Sequence, residues 1–279
     1  MRMYMSALLA TLLALAVVAP ASAAVPGLEL VVKGSGPANS RDNNSALAEC
    51  PDGKGLLGLG GKSEGGAGQV LLDALAPTND SVTVRGSEDQ DGTAATWSVR
   101  AYAICADQGA ALNSTVNEVP DSVSPKVRDT QGLCGFGRLL TGVGGEIPIG
   151  ADGEVMLDAL IPSTDLQNTR VRGIEDGNGT NGLWSLRPFK LCADPLPGLE
   201  RVETTSARSS QNKHATAVCD PGKRVVGAGG EIVTGGGQVA IQYMVPEADL
   251  TRVHVRGQED QNGTTANWAV RAFALCATA

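Results

Sequence analysis

The chain is poor in several things. Aromatic residues make up only 3% of it, there are two histidines, and no stretch reads as an amphipathic helix. So few aromatics argue against small self-sufficient lobes, because a domain of ~80 residues must bury enough apolar surface on its own. His214 and His254 stand near no nucleophile elbow, so a Ser–His–Asp arrangement has no support. No Cys-x-x-Cys and no Cys/His cluster occurs, which argues against zinc, and no cofactor is expected. Basic residues are outnumbered 22 to 30 by acidic ones. An acidic balance favours solubility and weighs against nucleic acid or an anionic membrane as partner.

Only one long apolar run is present, from Ala7 to Ala19. It follows Arg2 and precedes Ala21-Ser22-Ala23, the small-x-small form of a signal-peptidase site. Residues 1–24 are therefore expected to be a signal peptide, and the mature chain to be secreted, extracellular and without a membrane span. In an oxidising compartment an even cysteine count favours disulfides.

What is abundant is glycine, at 36 residues, and repetition. TWSVRAYAIC ends at Cys105, LWSLRPFKLC at Cys192 and NWAVRAFALC at Cys276, spaced by 87 and 84 residues. An earlier cysteine opens each unit, at Cys50, Cys134 and Cys219, spaced by 84 and 85. A period this steady reports a repeated folding unit. The repeats run 27–107, 108–194 and 195–279, with short seams that favour one body over three tethered beads. Of the 15 pairings open to six cysteines, the repeat makes one simplest: Cys50–Cys105, Cys134–Cys192 and Cys219–Cys276, one disulfide per repeat.

Each unit reads as short strands. In the first, Trp97, Val99, Ala101, Ala103 and Cys105 share one face by alternation. Four to six antiparallel strands per unit make the class all-β. The expected architecture is a pseudo-three-fold, β-prism-like body; the alternative is three tandem small β-sandwiches. The Cys-Pro-Asp-Gly-Lys at Cys50, the Cys-Asp-Pro-Gly-Lys at Cys219, the Gly-x-Gly-Gly runs that follow, and the closing Trp-x-Val-Arg-Ala-x-Ala-x-Cys resemble repeats of secreted actinobacterial proteins of unassigned function. More distantly, the three-fold plan with its paired cysteines resembles vitelline membrane outer layer protein I. That resemblance implies a β-prism, an extracellular coat and interaction with oligosaccharides.

Three patterns invite a chemical reading. Gly-x-Gly-Gly recurs at 58–61, 142–145 and 227–230, but no helix follows to face a phosphate, so the glycines are expected to relieve crowding between strands. Arg-Gly-x-Glu-Asp gives Arg85/Glu88/Asp89, Arg172/Glu175/Asp176 and Arg256/Glu259/Asp260, with Trp97, Trp184 and Trp268 each 12 residues after its arginine. These residues suit a structural ion pair beside a turn; they also suit a sugar site, with carboxylates accepting hydroxyls and a ring covering one sugar face. The next loop offers Asp89 and Asp91, Asp176 and Asn178, and Asp260 and Asn262. This resembles the opening of a calcium loop, but the rest of that pattern, including its distal glutamate, is missing, and Asn-Gly and Asp-Gly are also strong hairpin-turn signals. A carboxylate pair for glycoside cleavage is poorly supported, since adjacent Glu88 and Asp89 would point to opposite faces of a strand. The expected function is non-enzymatic: a binding or coat protein, with an extracellular glycan or cell-surface polymer as partner. The alternative is a hydrolase or hydrolase inhibitor using a loop unique to one repeat. The second repeat is the candidate, with its longer Ile147–Glu154 connection and its Pro188 and Lys190.

Overall fold

The computed structural model describes residues 24–40, 43–107, 109, 111–112, 127–148 and 153–279. Apart from Ala24, the expected leader lies outside them. The protein is all-β. Strands β1 (Glu29–Gly34), β2 (Asn43–Glu49), β3 (Gly55–Gly65), β4 (Val70–Pro77), β5 (Ser81–Glu88) and β6 (Trp97–Ala106) form the first third. The second holds β7 (Ala111–Leu112), β8 (Val127–Leu133), β9 (Leu139–Glu146), β10 (Val155–Pro162), β11 (Asn168–Glu175) and β12 (Arg187–Ala193). The last holds β13 (Glu200–Thr205), β14 (Lys213–Val218), β15 (Lys223–Val233), β16 (Val239–Pro246), β17 (Arg252–Glu259) and β18 (Ala269–Thr278). Alternation dictates these strands: along β6, Trp97, Val99, Ala101 and Ala103 are buried while Ser98, Arg100 and Tyr102 reach outward.

Three six-stranded sheets result, ordered β2-β5-β4-β9-β12-β7, β13-β18-β15-β10-β11-β8 and β1-β6-β3-β16-β17-β14. Each is shared between two thirds: first with second, second with third, third with first. Three self-contained sandwiches therefore do not form. The halves of a sheet meet at a narrow joint of two register pairs: Ala74↔Glu146 and Leu75↔Gly145, Ala159↔Glu231 and Leu160↔Gly230, Tyr243↔Lys62 and Met244↔Gly61.

Glycine is required where these pieces converge. A Cβ on Gly58 would overlap the Val226 carbonyl, one on Gly227 the Thr141 carbonyl, and one on Gly142 would stand 3.0 Å from the Leu57 carbonyl. The first glycines of the three Gly-x-Gly-Gly runs thus press backbone on backbone, the crowding that only glycine tolerates. One apolar core draws residues from all three thirds. The disulfides form as the repeat implied, with Cα–Cα distances of 5.7, 5.9 and 5.8 Å. Each ties the end of one half-sheet to the last strand of the other half-sheet from the same third. Loops of 55, 58 and 57 residues are closed in this way, each worth roughly 4 kcal/mol in a chain-entropy account.

Candidate functional site

The Arg-Gly-x-Glu-Asp residues come together with partners that differ from those the sequence suggested. Arg85 reaches across its joint: Nε donates to Asp73 at 2.9 Å, Nη1 lies 3.6 Å from Glu146, and Nη2 donates to the Ile147 carbonyl at 2.9 Å. Arg172 does the same with Asp158 at 2.7 Å, Glu231 at 3.7 Å and the Ile232 carbonyl at 2.9 Å. The arginines therefore bridge two thirds of the chain and do not pair with the glutamate and aspartate of their own motif. Asp73 and its counterparts sit on a bulge, between Leu72 and Ala74 in the first third, which brings the extra side chain onto the arginine's face. Burial pushes the Asp73 carboxyl above its ordinary range, against the opposing pull of Arg85 and Ser87.

The rest of the motif holds the tryptophan and the turn. Trp97, Trp184 and Trp268 are fully buried, so none offers a ring face to a sugar, and the stacking role considered for them does not hold. Each indole N–H donates to the motif glutamate: Glu88 at 2.7 Å, Glu175 at 3.0 Å and Glu259 at 2.7 Å. The other glutamate oxygen accepts the Thr93 and Thr180 backbone N–H at 3.0 and 3.4 Å in the first two thirds. The motif glycine leaves room for the ring, since a Cβ on Gly86 would lie 3.3 Å from Trp97 and one on Gly257 2.6 Å from Trp268.

The aspartates close the following turn. Asp89 accepts from the Asp91 and Gly92 N–H, both at 3.1 Å; Asp176 from Asn178 and Gly179 at 3.0 and 2.9 Å; Asp260 from Asn262 and Gly263 at 2.9 and 2.8 Å. Side chains committed to a turn in this way are poorly free to ligate calcium. Among the described residues no group of three or more His, Cys, Asp or Glu is arranged to hold a metal.

These loops approach one another. Gln261 donates to Asp91 at 2.5 Å, from the last third to the first. With their amides oriented by their partners, Gln238 bridges the Gly263 carbonyl and the Gly177 N–H, both at 3.1 Å, and Gln90 donates to Glu154 while accepting from Asn178. Glu154 occupies the position of Gln69 and Gln238, just before the β4, β10 and β16 strands. Its carboxyl is pushed up to about 7, first by burial and then by Asp176, Asp89 and Asp91. Asp89 is raised to about 6, by burial and then by Asp91 and Asp176.

A cleft of about 630 Å³ opens at the first joint. Asn43, Asp73, Arg85, Ser87, Glu88 and Asp89 form its polar wall; Ile147, Pro148 and Gly153 of the second third complete it. Sequence reasoning placed Arg85, Glu88 and Asp89 together. It missed Asp73 and Glu146, whose signal was the recurrence of aspartate in Leu-Asp-Ala-Leu at 72–75 and 157–160 and of glutamate after Gly-Gly at 146 and 231.

The third joint breaks the pattern. Gln242 replaces Asp73 and Asp158, and Lys62 replaces Glu146 and Glu231. Arg256 makes no hydrogen bond or ion pair among the described residues, and its Nε is buried without a partner. The cleft there shrinks to about 10 Å³, room for one water. The chain matches no protein-family model and no curated protein.

Proposed function

We propose that this is a secreted, non-enzymatic binding protein of the cell exterior, a three-repeat, β-prism-like body that holds a glycan in the cleft of its first joint. Its relation to extracellular coat proteins rests on the motif resemblance alone. The observation that carries the reading is the cleft's lining. Arg85, Asp73, Ser87 and Asn43 supply donors and acceptors side by side at a fixed joint, as recognition of a polyhydroxylated ligand requires. Glu88 is engaged by Trp97 and Thr93, and Asp73 by Arg85 and Ser87, so the carboxylates orient a ligand more readily than they cleave it.

A glycan array followed by calorimetry on the purified mature protein tests this. Saturable binding that Asn43→Ala and Ser87→Ala weaken is the expected result; no binding to any sugar or cell-wall preparation removes the glycan. A second reading, a hydrolase, draws on the cleft's asymmetry: Ile147, Pro148 and Gly153 on its far side belong to the second third alone, and the Asp73 carboxyl is raised. Release of reducing ends from a bound polymer, lost in Asp73→Asn, would favour it.

A further inference from the structure

Residues opposed across an antiparallel ladder share a face, so each sheet can be read as a row running through its joint. In the sheet shared by first and second thirds the row is Ser45, Arg85, Ala74, Glu146, Arg187. In the sheet shared by second and third it is Arg172, Ala159, Glu231, Arg271. Both place a glutamate between two arginines, and the ion pairs form: Glu146 with Arg187 at 2.9 Å, Glu231 with Arg271 at 3.2 Å.

The remaining sheet reads His214, Arg256, Tyr243, Lys62, Arg100. Every position except the shared arginines has changed, and all changes remove negative charge or add a ring. Two residues along each strand, the same face adds His254, bonded to Thr216 at 3.0 Å, and Tyr102. Both histidines of the chain lie here, and two of its three tyrosines. Among the described residues, Lys62 and Arg100 pair with Glu64, Arg252 pairs with Glu247 and lies near Asp249, and Arg256 pairs with no carboxylate. The surface is therefore net positive on a chain of net charge −8. All of these side chains are at least partly exposed.

We propose that this outer face binds an anionic polysaccharide, its carboxylate, sulfate or phosphate groups received by Arg256, Lys62 and Arg100 and its sugar rings lying along Tyr243 and Tyr102. Arg256 is the anchor. A guanidinium offers a fork of donors matched to an oxyanion, and here no protein carboxylate occupies it. A tyrosine between two cations presents an apolar ring and a polar tip to a sugar. The site is separate from the cleft at the first joint and does not depend on a glycan binding there.

The test uses the mature protein against three probes: heparin, polygalacturonate and neutral dextran, by calorimetry at low and high salt. Binding to at least one polyanion but not to dextran is expected, weakened at high salt as screened charges require. Arg256→Gln and Lys62→Gln should each weaken it about tenfold, the worth of one charge-assisted hydrogen bond, while Arg138→Gln, at a distant turn, leaves it unchanged. Melting curves of each variant separate lost contacts from lost fold; should a variant unfold, chemical-shift changes of wild-type protein on adding the polymer map the same face. No polyanion binding at low salt, binding indifferent to Arg256 and Lys62, or equally tight binding to a DNA duplex would overturn the proposal. Loss of array binding with polyanion binding intact would sink the cleft and leave this face standing.

Discussion

Two joints of this protein hold an arginine between two carboxylates, and the third holds the same arginine beside a glutamine and a lysine. The three occupy like positions in the fold and differ in charge. In the first two, arginine completes a bridge between thirds that share only two register pairs, so electrostatics supplements a thin backbone connection. In the third, register, glycines and tryptophan survive without the bridge. The bridge is thus not what specifies the joint; packing of glycine against backbone is. That frees the third arginine to serve the surface.

Removing the clamps should expose this ordering. Arg172 is the more enclosed, with 18% of its side chain exposed against 32% for Arg85. Arg172→Met removes the guanidinium that bridges Asp158 and Glu231 and should cost about 3 kcal/mol in chemical denaturation, the low end for stripping one partner from a buried pair. Arg85→Met should cost less, and Arg256→Met close to nothing. Equal losses at all three would show that Arg256 has a structural partner and would break the comparison.

Restoring the missing acids is the converse experiment. Lys62→Glu with Gln242→Asp rebuilds in the third joint the set found in the other two, and should raise stability by about 1 kcal/mol in the same assay, as a partly exposed pair allows. The same double variant should lose polyanion binding. Stability gained with binding retained would separate the joint from the surface and count against the anionic site.

Strand class and disulfide pairing were legible because alternation and period act locally. Glycine crowding was legible too, since no helix follows those runs. Partnership across thirds was not legible. Asp73 and Glu146 lie 73 residues apart, and nothing short of the sheet order brings them to one arginine. Alternation puts the tryptophans on the face of the cysteines and so favours a core, but a ring beside carboxylates also suits a sugar site. The Glu88 contact settles it, with the indole turned inward and its N–H satisfied. Lys190 shows the same limit: its strand position is occupied by Ala103 and Ala274 elsewhere. It is nevertheless almost fully buried, because Gly132 stands where the other thirds have Ala48 and Ala217, and a Cβ there would come within 3.2 Å of the lysine chain. Burial lowers its amine from the ordinary lysine range.

The turn-bearing loops offer a second two-against-one contrast with smaller effects. Gln69 and Gln238 hold backbone carbonyls of the loops, Gly92 at 3.4 Å and Gly263 at 3.1 Å, through neutral amides; Glu154 must do similar work beside Asp176, Asp89 and Asp91 as a carboxyl. A carboxyl whose folded pKa is raised to about 7 binds its proton more tightly folded than unfolded. Its contribution is fully present below the ordinary glutamate value and lost as pH rises through about 7. Melting temperature should therefore fall gently between pH 5 and 8, and Glu154→Gln should flatten that slope, leaving a weaker one near pH 6 from Asp89. An unchanged slope in the variant would mean that Glu154 is not the titrating group. The smallest effect concerns calcium. Because Asp89, Asp176 and Asp260 already accept two backbone N–H groups apiece, neither chelator nor added calcium should move the melting temperature. A calcium-dependent rise lost in Asp89→Asn would show that the ion displaces those turn bonds.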